Sequence, residues 1–267
     1  MTANLLHGSH RVGDRDVIYI PNFLSEEEEK YIIRKASIHD SPQQKWKQLA
    51  NRRLQIWGGE ITAKGLLPQS LPPYALNYPN LLDRLKETGA FLESPHGSPN
   101  HIILNEYRAG QGIMPHEDGP KYFPVVATIS LGSHTVFNYY RYKPNHPEPG
   151  DSEGKIVDKI PMMSLLLEPR SVVISSGEMY TGYLHGIDPV EEDHLLPSNA
   201  SQPSEDDPED SESTITWTTI DNWSLLGDEH TKHLVTSGSI LKRGTRYSLT
   251  CRDVERVFSA KSFRFTR

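Results

Sequence analysis

The sequence predicts a mostly β fold with flanking helices, built as an antiparallel sandwich or barrel. After residue 100 the chain becomes a series of short apolar segments, and turn sequences such as PNHPEPGD and LEPRS separate them. Segments with helical spacing come before that series. The chain of 267 residues is 36% hydrophobic, which is enough to bury a core in one large domain or two small ones.

The first predicted elements are a strand and a helix. Residues 17–20 are typical of a short strand that ends at Pro21. Ser25 and Glu28 form a capping box ahead of the segment EEEEKYIIRKA, so a helix is expected to run to about Ala36.

A second helix and six further strands follow. Residues 80–91 place leucines at helical spacing. The predicted strands are residues 102–107, 125–131, 135–142, 164–167, 171–175 and 246–252.

Composition excludes several classes of protein. A single cysteine, Cys251, rules out an internal disulfide framework and a multi-cysteine zinc site. No apolar run is long enough to cross a bilayer, and the first residues lack the apolar stretch of a secretory signal. We expect a soluble monomer of the cytoplasm, the nucleus or both, without a membrane partner.

An acidic segment divides the charge of the chain. Residues 191–212 hold nine acidic side chains and no Lys or Arg, and taking them from the net charge of −7 leaves +2. The proline-rich stretch 188–213 is therefore predicted to be a disordered insert. We divide the chain into an N-terminal extension, residues 1–100, that carries a substrate lid packed on the core, and a core, residues 101–267. The mildly basic remainder is compatible with nucleic-acid contact or with a solvated face.

A candidate metal site lies in the segment MPHEDGP. His116 and Asp118 are two residues apart, so on an extended backbone they point to the same side. Together with one later histidine they would make the facial triad that binds Fe(II) and leaves open positions. His185 is the best third ligand, because it follows a strand-like segment and precedes a glycine. His-x-Asp alone is weak evidence in a chain with twelve histidines.

Polar side chains also alternate along the last predicted strand and along an earlier one. The residues that share a face are Arg246, Ser248, Thr250 and Arg252 on one strand, and Asn105 and Tyr107 on the other. Arginine matches carboxylates in two-point geometry, so this face could bind a small dicarboxylate. The alternative is a strand whose arginines face solvent or pair with acidic residues.

These motifs together resemble the AlkB family of Fe(II)- and 2-oxoglutarate-dependent dioxygenases. They are Asn105-x-Tyr107-x-x-Gly110, His116-x-Asp118, His185 and Arg246-x₅-Arg252. The stretches MPHEDGP…TISLGSHTVFNYY and SLLLEPRSVVI are similar to the AlkB homologue 6 branch. The resemblance covers nearly the whole chain.

The resemblance implies a double-stranded β-helix, or jelly-roll, with iron at one mouth. It assigns Fe(II) to His116, Asp118 and His185, which are thereby the catalytic residues, and O₂ as a cosubstrate. It assigns the cosubstrate 2-oxoglutarate to Asn105, Tyr107, Arg246 and Arg252, with Ser248 where founding members carry asparagine. Several demethylases of the family contact the base through an acidic residue two positions after the metal aspartate, where this chain has Pro120.

The implied activity is oxidative N-demethylation of methylated RNA or DNA. The alternatives are a dioxygenase with a protein substrate, and a nucleic-acid binding protein with weak or no turnover. The candidate substrate contacts are basic and aromatic residues of the lid, namely Lys45, Trp46, Lys47, Arg52, Arg53 and Trp57. Ordinary packing is the alternative explanation for the two tryptophans. The sequence does not indicate the methylated base or the role of the acidic insert.

Overall fold

The computed structural model describes residues 10–36, 46–143, 155–200 and 216–258. Up to residue 100 the elements are β1 (Val17–Ile20), α1 (Glu26–Ala36), β2 (Lys47–Leu49), β3 (Arg52–Trp57), β4 (Gly59–Thr62), β5 (Gly65–Pro68), α2 (Pro73–Leu76) and α3 (Leu81–Glu87). The next elements are β6 (His101–Tyr107), β7 (Ile113–His116), β8 (Tyr122–Leu131), β9 (Thr135–Tyr140), β10 (Met163–Leu167), β11 (Val172–Ser176), α4 (Gly177–Thr181) and β12 (Leu184–Ile187). The last are β13 (Glu192–Pro197), β14 (Thr218–Ile220), a 3-10 turn (Trp223–Leu225), α5 (Glu229–Thr236), β15 (Ser239–Lys242) and β16 (Arg246–Val254).

Two antiparallel sheets form the body of the protein. The larger has seven strands in the order β1-β11-β8-β16-β6-β3-β2, and the smaller has four in the order β10-β9-β12-β7. Neighbouring strands alternate between earlier and later segments of the chain from β1 to β6 in the larger sheet and throughout the smaller one, as in a jelly-roll. The fold class predicted from the sequence is confirmed, and each predicted strand is present to within a few residues.

The central strands of the larger sheet are buried on both faces, and their alternating side chains contribute to two apolar clusters. Val173 and Tyr107 point into the cluster shared with the smaller sheet. Val172, Ile174 and Leu104 point to the other face, where α1, α2 and α3 pack. This explains why β11 is apolar at successive positions instead of alternating with polar residues.

Helix α1 begins at the predicted capping box. The Ser25 backbone N–H donates to the Glu28 carboxylate at 2.8 Å, and the Glu28 N–H donates to Ser25 Oγ at 3.2 Å. The Glu28 carboxylate also accepts from Arg84 of α3 at 3.0 Å, which ties the two helices together. The acidic first turn thus serves both the helix dipole and the contact with α3.

Part of the acidic stretch is folded, which corrects the prediction of a disordered insert at 188–213. Residues 188–200 lie in the described part, and β13 within them pairs with β14 on one side and β15 on the other. Leu195 is fully buried, and the carboxylate of Asp193 is bonded to Arg243 at 2.7 and 2.6 Å. A carboxylate that is paired with a cation can be buried. The acidity of this segment was therefore not sufficient evidence of disorder. Residues 201–213 lie outside the described residues.

The N-terminal hundred residues contribute strands to the main sheet. β1 pairs with β11, and β3 pairs with β6. The division at residue 100 therefore cuts through one sheet, because these strands complete it at both edges. In the part of the chain that the structure describes, every helix is too short or too polar to cross a membrane.

Candidate metal and cosubstrate site

Three side chains predicted to bind metal converge at one mouth of the sandwich. β7 and β12 pair antiparallel, with His185 directly opposite His116, and the two ring centroids are 4.4 Å apart. Asp118 follows β7 at the start of the loop to β8. One ligand atom from each of the three residues lies within 4.8 Å of the others. Two imidazoles and one carboxylate in this arrangement fit Fe(II) with open coordination positions.

Both histidines are held in the neutral form that binds metal. His116 Nδ1 lies 2.9 Å from the carbonyl oxygen of Met114, so it carries the proton and leaves Nε2 free for a metal. Burial lowers the pKa of His116, and burial lowers that of His185 to about 3. Phe137 stacks on His185 with ring centroids 5.4 Å apart, which fixes the orientation of that imidazole.

Asp118 is held by Arg252 in a two-point contact. The Arg252 Nε donates to Asp118 Oδ2 at 2.8 Å, and its Nη2 donates to Oδ1. Burial works to raise the pKa of Asp118, but the charge and the hydrogen bonds of Arg252 outweigh it, so the pKa lies below the usual value. The carboxylate is therefore ionised and oriented before a metal binds.

The predicted dicarboxylate face lines a cavity of about 110 Å³ beside the metal ligands. β16 and β6 place Arg246 opposite Tyr107 and Ser248 opposite Asn105. The lining residues include all of the predicted ones, namely Asn105, Tyr107, Arg246, Ser248 and Arg252, together with Thr250 and Arg52. The alternation predicted from the sequence therefore holds.

Arg246 is buried at the end of this cavity with unused donors. Its Nη2 donates to Ser130 Oγ at 2.9 Å, but its Nε and Nη1 have no hydrogen-bond partner among the described residues. Burial lowers the pKa of Arg246 only to about 10, so the group is a cation at neutral pH. A buried cation without a counter-ion is costly. These two donors are therefore suited to bind an anion in the cavity.

The predicted lid residues divide between two faces of the larger sheet. Arg52 enters the cosubstrate cavity, where its Nε donates to Asn105 Oδ1 at 3.0 Å. Arg53 points to the opposite face; it donates to Glu106 at 2.8 Å and lies 4.3 Å from the ring centroid of Trp46. The structure therefore does not bring Arg53 and Trp46 to the cavity. Lys45 lies outside the described residues.

A second cavity of about 760 Å³ shares one lining residue, Ile103, with the first one. Lys47 and Trp57 from the predicted set line it. Sequence reasoning missed two others, His101 and Tyr122, which also line this cavity. His101 precedes Ile103 by two residues, so the same alternation would have found it. Nothing in the sequence singled out Tyr122.

Comparison of the sequence with known proteins identifies the family to which this site geometry points. The profile of the 2OG-Fe(II) oxygenase superfamily matches residues 16–252. "Probable RNA/DNA demethylase ALKBH6" from Danio rerio is 38% identical over 251 residues, which cover 92% of this chain and 89% of that protein. "Uncharacterized protein L905" of Acanthamoeba polyphaga mimivirus is 28% identical over 177 residues, covering 66% of this chain and 74% of that protein.

A solved structure, OsALKBH1, is similar with a TM-score of 0.46 and 17% identity over 90% of this chain and 98% of that one. The superfamily profile spans both sheets, and the zebrafish relative aligns along nearly its whole length. The chain belongs to the AlkB family of 2OG-Fe(II) oxygenases, in its ALKBH6 branch.

Proposed function

We propose that this Fe(II)- and 2-oxoglutarate-dependent oxygenase removes N-methyl groups from RNA or DNA by oxidation. The observation that carries the oxygenase chemistry is the pair of unused donors on buried Arg246, in a cavity that is also lined by His116 and His185 of the triad. A cation at the closed end and a metal at the open end suit a dicarboxylate that is held at both ends. 2-Oxoglutarate has that shape and charge.

Different side chains bind the metal, bind the cosubstrate and orient the metal ligands. His116, Asp118 and His185 would hold the iron, and Arg246 would hold the far carboxylate of 2-oxoglutarate. When bound, iron, O₂ and 2-oxoglutarate supply the oxidation of an N-methyl group, which leaves as formaldehyde while 2-oxoglutarate becomes succinate and CO₂. Arg252 keeps Asp118 ionised and oriented, and Phe137 keeps His185 in place.

Two features support a nucleic-acid substrate. The zebrafish relative carries the name of an RNA/DNA demethylase. Arg52 lines the metal cavity and Lys47 lines the second cavity, and both side chains suit phosphate. A methylated base in a duplex would first have to leave the stack, at a cost of a few kcal/mol, so we expect single strands to be preferred.

The test is product release by the purified protein with Fe(II), 2-oxoglutarate and ascorbate, on a panel of methylated RNA and DNA oligonucleotides. We expect formaldehyde and succinate in equal amounts with at least one oligonucleotide, and neither with the His116→Ala variant. Succinate without formaldehyde would redirect the search to protein substrates or to other hydroxylations. Oligonucleotide binding that survives His116→Ala, with neither product formed by the wild-type protein, would favour a binding protein.

A further inference from the structure

The cavity of about 760 Å³ has the position of a substrate site. It shares the lining residue Ile103 with the metal cavity, and Tyr122 lines its wall. The ring of Tyr122 lies 4.9 Å from the guanidinium of Arg252, and that guanidinium donates hydrogen bonds to Asp118. A planar group that packs on the exposed side of Tyr122 would therefore lie close to the metal ligands.

Tyr122 is itself held in place by His101. Its hydroxyl lies 3.3 Å from His101 Nδ1, and the His101 ring also hydrogen-bonds to the backbone of Gly59. Burial, together with the charge of Arg252, lowers the pKa of His101 to about 4, so the ring is neutral. With its proton directed to Gly59, Nδ1 accepts the hydrogen bond that the Tyr122 hydroxyl donates. The phenol ring is thus a fixed platform.

Glu60 is the one carboxylate among the described residues that line this cavity. It is exposed to the cavity and makes no hydrogen bond or ion pair with a described residue. The loop after Asp118 brings no second acid, since Gly119 and Pro120 follow it and Lys121 donates to the carbonyl oxygen of Ala63 at 2.7 Å. The apolar and aromatic part of the wall is formed by Ile56, Trp57, Ile61 and Ile103, and Lys47, Gln69 and Ser70 add one cation and two neutral polar groups.

The hairpin that carries Glu60 is anchored. Gly59 has φ +133°, and a Cβ atom there would lie 2.1 Å from the carbonyl oxygen of Leu67. The N–H of Leu66 donates to the carbonyl oxygen of Arg256 at 2.7 Å, which fixes β5 to the end of the last strand. β4 and β5 therefore hold Glu60 at a defined place on the cavity wall.

We propose that Glu60 is a specificity residue, which selects a methylated base that is cationic or offers N–H donors while that base stacks on Tyr122. This inference rests on the proposed function and deepens it. A carboxylate attracts N1-methyladenine, which is a cation with an amino group. It repels N3-methyluracil, which is neutral and presents carbonyl oxygens on both sides of its methyl group.

The test is binding, with Mn(II) in place of iron and N-oxalylglycine in place of 2-oxoglutarate. Short single-stranded oligonucleotides with one N1-methyladenine, one N3-methyluracil or no methyl group compete for the wild-type protein, Glu60→Gln and Glu87→Gln. Glu87 is an exposed acid on α3, away from the cavity, and is the matched control. We expect the wild-type protein and Glu87→Gln to prefer N1-methyladenine by at least about tenfold, and Glu60→Gln to lose that preference, because a charge-assisted hydrogen bond contributes about 1.5–3 kcal/mol.

A second variant separates stacking from charge. Tyr122→Leu should weaken binding of both methylated oligonucleotides about equally and by roughly tenfold, since stacking of a base is worth about 1–3 kcal/mol. An unchanged preference in Glu60→Gln, or no preference in the wild-type protein, would overturn the inference. Formaldehyde release from N3-methyluracil by the wild-type protein and Glu60→Gln alike would overturn it while leaving demethylation intact. Absence of both binding and product would overturn the proposed function as well.

Discussion

Two arginines on one strand face have different partners. Arg252 is satisfied by the carboxylate of Asp118, whereas Arg246 bonds only to Ser130 and keeps two buried donors unused. They are therefore not equivalent halves of one dicarboxylate clamp. The difference follows from what the neighbouring strands and loops bring to each end of β16.

Replacing Arg246 should preserve or raise the stability of the apoprotein but weaken the binding of 2-oxoglutarate. Arg246→Met removes an uncompensated buried charge, so the apoprotein should melt at the same temperature or higher. Affinity for 2-oxoglutarate should fall by about 100-fold, because at least two charge-assisted bonds, each worth about 1.5–3 kcal/mol, are lost. Calorimetric titration of 2-oxoglutarate into the Mn(II)-loaded protein measures this. An unchanged affinity would remove Arg246 from the cosubstrate site.

The neighbouring residues Arg52 and Arg53 provide a matched pair of variants. Arg53→Met leaves the buried carboxylate of Glu106 without its guanidinium, so the free energy of unfolding should fall by about 3–5 kcal/mol. Arg52→Met should cost clearly less stability and should instead weaken binding in the cavity that Arg52 lines. Urea unfolding and ligand titration of the two proteins decide this. Equal loss of stability in both would contradict the alternation of faces.

At the scale of elements, β13 shows how an acidic segment can fold. The Asp193 carboxylate is bonded to Arg243 and lies 3.2 Å from His134 Nε2, and Leu195 from the same strand enters the core. Burial works to raise the pKa of Asp193, but the hydrogen bonds and the charge of Arg243 outweigh it and hold the pKa below the usual value.

Asp193 should make stability depend on pH. Because its pKa is lowered on folding, its contribution is fully present above the ordinary aspartate pKa of about 4 and is lost as the pH falls through the lower folded value. Asp193→Asn should lower the free energy of unfolding by about 3–5 kcal/mol at neutral pH, since it leaves Arg243 buried and unpaired. The variant should also lack this component of the acid transition. Urea unfolding at several pH values measures both effects, and a neutral result would mean that the pair of Asp193 with Arg243 does not stabilise the fold.

The β4–β5 hairpin depends on its first glycine. Gly59→Ala places a methyl group against the carbonyl oxygen of Leu67 and forces a side chain into a positive φ, so the hairpin should detach or shift. Limited proteolysis should then cleave residues 59–68 faster than in the wild-type protein, while Gly119→Ala, where a Cβ atom meets only ordinary contact, should not change that rate. An unaltered pattern in Gly59→Ala would show that the strands tolerate the clash.

For the whole molecule, the metal and the cosubstrate should act as cross-links between the two sheets. The smaller sheet supplies His116 and His185, and the larger sheet supplies Arg246. A ligand present at 100 times its dissociation constant stabilises the native state by about 2.7 kcal/mol, so Mn(II) with 2-oxoglutarate should raise the melting temperature by several degrees. Chelation should reverse the shift, and His116→Ala should not show it. A shift retained by that variant would place the metal elsewhere.

Sequence patterns were sufficient for the features that depend on local order. Strand alternation placed Asn105, Tyr107, Arg246 and Arg252 on one face, and the capping box located the start of α1. The spacing of His116 and Asp118 indicated the metal site. These inferences succeeded because side-chain direction along a strand and the hydrogen bonds of a helix end are set within a few residues.

Which faces pack against each other depends on the folded chain. The sequence could group Arg52 with Arg53, but the pairing of β3 with β6 sends one to the cosubstrate cavity and the other to Glu106. The contact of Tyr122 with His101 and Arg252 joins strands that are far apart in the chain, so no local sequence pattern predicts it. Periodicity shows which side chains share a face, whereas the partner that covers that face depends on the packing of the whole chain.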